Sequence, residues 1–177
     1  MAEKNEAWLN YLALTTVFLA VCATLATFKG GGYSTRSVLS QTQASDQWAY
    51  FQAKSLKSYL YELQKDKLEL DLNLIRENSP GTMAAEYEKK IAAYSSKLKK
   101  YEAERGVIKQ DAEKYEKSRD DAQKHLQAFG IAVIFLQIAI LLSSVAALMK
   151  KKSLWVIGVA VGAVGVVYFA DGFLLFM

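Results

Sequence analysis

The sequence predicts an all-α membrane protein in which three transmembrane helices carry a long antiparallel coiled-coil hairpin. Three observations predict it. Apolar stretches lie at Trp8–Phe28, Phe129–Leu148 and Leu154–Met177, uncharged except for Asp171 near the end of the third, and each is suited to crossing a bilayer core of about 30 Å. Charge is segregated: between Lys29 and Gln127 lie 18 of the 22 Lys and Arg and 15 of the 18 Asp and Glu. Within that polar middle, apolar residues recur at steps of three and four, and the single Pro of the chain interrupts them once.

Taken in order, residues 1–7 form a short polar tail. The first span follows, with Trp8 and Tyr11 at one end as interface anchors. It lacks the small-residue cleavage pattern of a signal peptide and reads as a retained span. Cys22, the only cysteine, sits inside it, so no disulfide framework is expected. The residue before Cys22 is Val rather than a small residue, which argues against a lipoprotein box. Gly30, Gly31 and Gly32 are expected to break or bend the helix, with a new one capped by Ser34 or Thr35. Residues 29–127 are thus read as a Gly-rich link followed by the hairpin.

The first arm is expected to run to about Arg76. Its seam reads Leu39, Thr42, Asp46, Ala49, Ala53, Leu56, Leu60, Leu63, Lys67, Leu70 and Leu74. Trp48, Tyr50 and Phe51 lie outside that seam and widen the apolar stripe, which suits packing against further helices or copies. Residues 78–82, with Pro80 beside Gly81, form the turn. The second arm has the cleaner seam: Ala84, Tyr87, Ile91, Tyr94, Leu98, Tyr101, Arg105, Ile108, Ala112, Tyr115, Arg119, Ala122 and Leu126. A short turn makes the arms antiparallel neighbours. The register that pairs Leu74 with Ile91, Leu63 with Tyr101 and Leu56 with Ile108 also sets Asp46 opposite Arg119, a charge pair that would fix it. In that register Arg105 faces Leu60 and has no evident mate.

Residues 128–177 hold the second and third spans, joined by Lys150, Lys151 and Lys152. Gly158, Gly162 and Gly165 lie near one face of the third span and allow close helix approach. Gln137 is the polar interruption of the second span, and Asp171 lies near the end of the third. Gln137 is expected to join helices by hydrogen bonding, and Asp171 to serve helix packing or the interface, with an ion path as the competing role. The short lysine turn belongs on the cytoplasmic side by the positive-inside bias, which puts the hairpin in the periplasm. The first span's flanks, with Glu3 and Glu6 before it and Lys29 and Arg36 after it, pull the other way.

Two stretches carry a family likeness: Trp8-Leu9-Asn10-Tyr11-Leu12-Ala13-Leu14-Thr15-Thr16, and Ala44-Ser45-Asp46-Gln47-Trp48-Ala49-Tyr50-Phe51-Gln52-Ala53-Lys54-Ser55-Leu56-Lys57. With the order of span, Gly-rich link, aromatic motif, charged helices and paired spans, the chain resembles the bacterial membrane proteins grouped as DUF4337. The resemblance implies a bacterial inner-membrane protein. It supplies no activity and no catalytic residues.

The residues themselves point away from an enzyme. His125, the only histidine, has no Cys neighbours and reads as an interfacial polar residue. Asp120-Asp121 reads as a solvated face, and no catalytic, cofactor-binding or metal-ligating set is expected. Acids and bases alternate along the middle, unlike the one-signed face of a nucleic-acid binder. The expected partners are the lipid bilayer, further copies of the chain and another membrane or envelope protein. The expected function is that of a membrane-anchored structural or interaction protein that self-associates through its helices. The alternative is a subunit of an oligomeric channel or transporter with Gln137 and Asp171 near the path.

Overall fold

A computed structural model describes residues 3–78 and 82–176, with side chains described from 8 to 76 and from 83 to 176. It contains three helices: α1 (Glu3–Asn78), α2 (Thr82–Met149) and α3 (Lys152–Leu174). No strand occurs among the described residues. The expected turn residues Ser79, Pro80 and Gly81 lie outside them, as do the side chains of Asn78 and Thr82. All three helices are long and apolar enough to cross a membrane. The chain divides into two compact units, residues 1–39 with 118–177, and residues 40–117.

The first unit is a three-helix bundle. Leu19, Cys22, Ala23 and Ala26 of α1 pack against Phe129, Ala132, Leu136 and Ala139 of α2, with Val161, Val166, Tyr168 and Phe169 of α3 against them. The outward surface is apolar too, including Leu14, Val17 and Phe18 on α1, Ile134 and Leu141 on α2, and Val156 and Val167 on α3. A helix apolar all round suits a bilayer.

The expected break at Gly30–Gly32 does not occur: α1 is helical throughout this stretch, and no glycine has a positive φ. Ser34 and Thr35 are therefore interior helical residues, and the Thr35 hydroxyl donates to the Gly31 carbonyl at 3.1 Å. The physical reason is packing. Gly30 lies on α2, where a Cβ would meet the Phe129 Cβ at 3.4 Å in ordinary van der Waals contact, and Tyr33 stacks on His125 and Phe129, so the stretch is held against α2 as helix.

The α2–α3 connection is tight. Lys150 adopts φ 51°, and the Lys150 and Lys151 N–H groups donate back to the Ala147 and Ala146 carbonyls. This is a Schellman ending, with cationic residues at the negative end of the helix dipole.

The second unit is an antiparallel pair formed by residues 40–78 of α1 and 82–117 of α2. Trp48 near one end pairs with Glu116, and Arg76 near the other pairs with Glu88. On α2 the expected seam faces inward, with Ile108 and Ala112 buried and Ala84, Tyr87, Ile91, Tyr94, Leu98, Tyr101, Arg105 and Tyr115 half-buried.

On α1 the opposite face turns inward. Leu56, Leu63 and Leu70 of the expected seam are 62, 65 and 66% exposed, and Leu60 and Leu74 are exposed as well. The inward stripe is Ala44, Trp48, Phe51, Ser55, Ser58, Tyr61, Lys65, Leu68, Leu72 and Ile75. Each expected seam leucine from Leu60 to Leu74 lies two residues after one of these, about 200° round the helix. The cause lies on α2. Its seam is rich in Tyr and carries Arg105, and the complement of such a seam is an aromatic and small-residue face rather than a leucine one.

Candidate functional site

In the hairpin unit the paired faces form a ladder of rings and charges. Trp48 Nε1 donates to Glu116 Oε1 at 2.8 Å, and its ring meets Phe51 edge-on at 5.6 Å. The Arg105 guanidinium lies 5.0 Å from the centre of the Phe51 ring. That cation–π contact is the mate of Arg105 that the sequence register lacked. The Arg105 Nε is buried without a hydrogen-bond partner. Tyr61 sits between Tyr94 at 5.5 Å and Tyr101 at 5.6 Å, with the Lys97 ammonium 4.8 Å above it.

Lys54 is the densest node. Its ammonium pairs with Glu104 and lies 5.5 Å from the Tyr50 ring and 5.2 Å from the Tyr101 ring. The hydrogen bond from Lys54 holds the Glu104 carboxyl below its usual value, and the same bond raises Lys54 above its own. Trp48 and Phe51 are thus occupied within the chain, whereas Tyr50 stays exposed. Asp46 lies exposed on the leucine side of α1 in this unit. Arg119 belongs to the bundle unit, where it is half-buried and pairs with its neighbour Asp120 at 2.7 Å.

In the bundle unit the glycines of α3 form a continuous groove against α2. A Cβ on Gly158 would meet the Ala139 carbonyl and Ser143 at 3.3 Å; one on Gly162 would meet Leu19 at 3.0 Å; one on Gly165 would meet Leu136 at 2.9 Å. Gly172 continues the row, and a Cβ there would meet the Phe129 ring at 2.7 Å. These glycines pack helices within one chain. Gly172 was not singled out from the sequence, although it stands one heptad after Gly165 on the same face.

Around Gly172 the three helices are tied by polar and aromatic contacts. The His125 ring stacks on Tyr33 of α1 at 4.4 Å, and its Nδ1 lies 2.8 Å from the Gly172 carbonyl, so Nδ1 carries the proton. Tyr33 also stacks on Phe129 at 5.9 Å, and Phe129 meets Phe173 edge-on at 5.0 Å. Asp171, 5% exposed, accepts the Phe176 N–H on Oδ1 at 2.8 Å, while its carbonyl accepts the Leu175 N–H at 2.7 Å. Asp171 therefore fastens the left-handed turn at Leu175 that ends α3. Beside it a cleft of about 500 Å³ is lined by Lys124, Gln127, Ala128, Ile131, Tyr168, Asp171 and Leu175. Among the described residues no three of His, Cys, Asp or Glu come together.

The model of the family described as Domain of unknown function (DUF4337) matches residues 8–175. The chain belongs to the DUF4337 family. No curated protein and no solved structure matches it.

Within this DUF4337 chain Gln137 and Asp171 have different settings. Asp171 is buried at the end of α3, whereas Gln137 is exposed on the outer face of α2, ten positions further along the span from Gln127 of the cleft. They do not line a common cavity among those the structure shows. At the other end of the bundle, Trp8 meets Trp155 at 6.4 Å, and Trp155 Nε1 donates to the Thr15 hydroxyl at 3.1 Å. Rings gathered at both ends of apolar helices fit interfacial anchoring.

Proposed function

We propose that this DUF4337 protein is a membrane-anchored structural or interaction protein, and that its hairpin associates with further copies of itself. The carrying observation is the exposed leucine row on α1: Leu56, Leu60, Leu63 and Leu70 face away from α2. The hairpin is already complete on its other face, so the row serves no packing purpose inside its unit. Burying such leucines against another helix is worth about 1.5–3 kcal/mol each. The bundle anchors the protein in a bacterial inner membrane, with the Lys150–Lys152 turn in the cytoplasm and the hairpin in the periplasm. This assignment rests on the shortness of the lysine turn.

The test is a cysteine at Leu63 in a Cys22→Ala background. Oxidation in native membranes gives a disulfide-linked dimer, and adding Leu60→Glu and Leu70→Glu removes it. A Leu63→Cys protein that stays monomeric under oxidation contradicts the proposal. The channel alternative has less support, because Gln137 faces outward while the Asp171 carboxylate already holds the Phe176 N–H.

A further inference from the structure

Gln137 stands in the middle of the most apolar part of α2, exposed between Ile134, Ile138 and Leu141. Neither its amide N–H nor its carbonyl has a hydrogen-bond partner among the described residues. In water this would be ordinary. In hydrocarbon an amide without partners is costly, and polar side chains there bond to neighbouring helices. One heptad before it lies Gly130, and one heptad after it Ser144, both exposed. Residues spaced by seven drift only about 20° per step round a helix, so the three share one stripe.

Gly130 makes the stripe informative. Within the apolar spans, Gly158, Gly162, Gly165 and Gly172 each lie against a neighbouring helix, whereas a Cβ on Gly130 would meet nothing within 4 Å; Gly31, Gly32 and Gly106, outside those spans, are open in the same way. Glycine inside a helix is unfavourable relative to Ala. Inside this chain nothing uses the space that Gly130 leaves.

We infer that the Gly130–Gln137–Ser144 stripe of α2 is the contact between two copies of this chain inside the membrane, arranged about a two-fold axis along the membrane normal. This rests on the reading of the protein as membrane-anchored and self-associating, and it deepens that reading by naming the intramembrane contact. Copies inserted by the same route have the same orientation. Their α2 spans run parallel, and across the axis each stripe residue meets its own counterpart at the same depth. The occupant must therefore complement itself. Glutamine does so: the amide N–H of one copy donates to the amide carbonyl of the other, and the reverse. Gly130 lets the two helices approach, and Ser144 is small and already donates its hydroxyl to the Ile140 carbonyl at 2.9 Å.

The other spans offer no such complement at their centres: the exposed amide of α1, Asn10, lies at the end of its span beside Trp8. The hydroxyls of Thr24 and Thr27 on α1 donate to the Ala20 and Ala23 carbonyls one turn back. The outer face of α3 from Val156 to Val167 is apolar.

The experiment is disulfide trapping in native membranes with full-length protein in the Cys22→Ala background. Ser144→Cys places the thiol on the stripe, and Val167→Cys places it on the exposed face of α3 as a control. The expected result is a covalent dimer from Ser144→Cys well above that from Val167→Cys. Adding Gln137→Leu to Ser144→Cys lowers the yield about three- to tenfold, the range for one interhelical side-chain hydrogen bond. Gln137→Leu alters only an exposed side chain, so the bundle itself is retained. Equal yields from Ser144→Cys and Val167→Cys overturn the inference, as does a yield unchanged by Gln137→Leu. Leu63→Cys separates the two ideas. If it crosslinks while Ser144→Cys does not, the hairpin association stands and the intramembrane contact falls. If both stay monomeric, both fall.

Discussion

At the scale of single residues, the glycines divide by what a methyl group would meet. Gly172→Ala drives a Cβ into the Phe129 ring, where the same ring also supports Tyr33 and Phe173. Overpacking of this kind costs about 1–3 kcal/mol. Gly31 has open space around its Cβ position, so Gly31→Ala should instead stabilise α1 by about 0.5–1 kcal/mol. Thermal unfolding of the two variants in detergent checks the opposite signs. Lys54 and Glu104 give a pH prediction. Glu104 is held below its usual 4.5, so its contribution to hairpin stability is present above that pH and is lost as pH falls through the lowered value. Lys54 is raised above its usual 10.5, so its contribution is present below that pH and is lost as pH rises through the raised value. The acid-side loss should shrink in Glu104→Gln, as read by helicity during acid titration. Both groups are largely screened, so the effect is small beside that of a core substitution.

At the scale of elements, Leu70 and Leu72 separate the two possible seams of α1. They stand on opposite faces, Leu72 buried against α2 and Leu70 exposed. Leu72→Ala should cost about 2–5 kcal/mol of hairpin stability. Leu70→Ala in the detergent-dispersed monomer should stay within about 0.5 kcal/mol. The reverse order would restore the leucine seam. This is also where the sequence was legible and where it was not. The α2 seam from Ala84 to Leu126 could be read because one stripe dominates that helix. On α1 two stripes compete, and hydrophobicity favours the leucines. What decides is the partner: Arg105 seeks the Phe51 ring, Glu116 the Trp48 indole and Glu104 the Lys54 ammonium. Spacing along one helix carries no record of those cross-helix matches. The glycines were ambiguous for a similar reason. Three in a row at Gly30–Gly32 look like a hinge, and only the contacts of Gly30 and Tyr33 with α2 show that the stretch packs as continuous helix. The role of His125 was not legible, because its bond to Gly172 joins positions 47 apart in the chain.

At the scale of the whole molecule, each unit closes one surface and leaves another open. The hairpin buries its aromatic ladder and exposes leucines; the bundle buries its glycine groove and exposes an amide on an apolar helix. In the proposed reading a second copy covers both open surfaces. Orientation follows from the same variants: the Leu63→Cys protein in intact cells should react with a membrane-impermeant thiol reagent, and protection until the cells are broken would place the hairpin in the cytoplasm. The most direct measurement is the mass of the full-length protein released from lipid nanodiscs by native mass spectrometry. Assemblies of two or more copies are the expected result, reduced toward monomer by Leu60→Glu with Gln137→Leu. A strict monomer across the accessible concentration range would contradict the account.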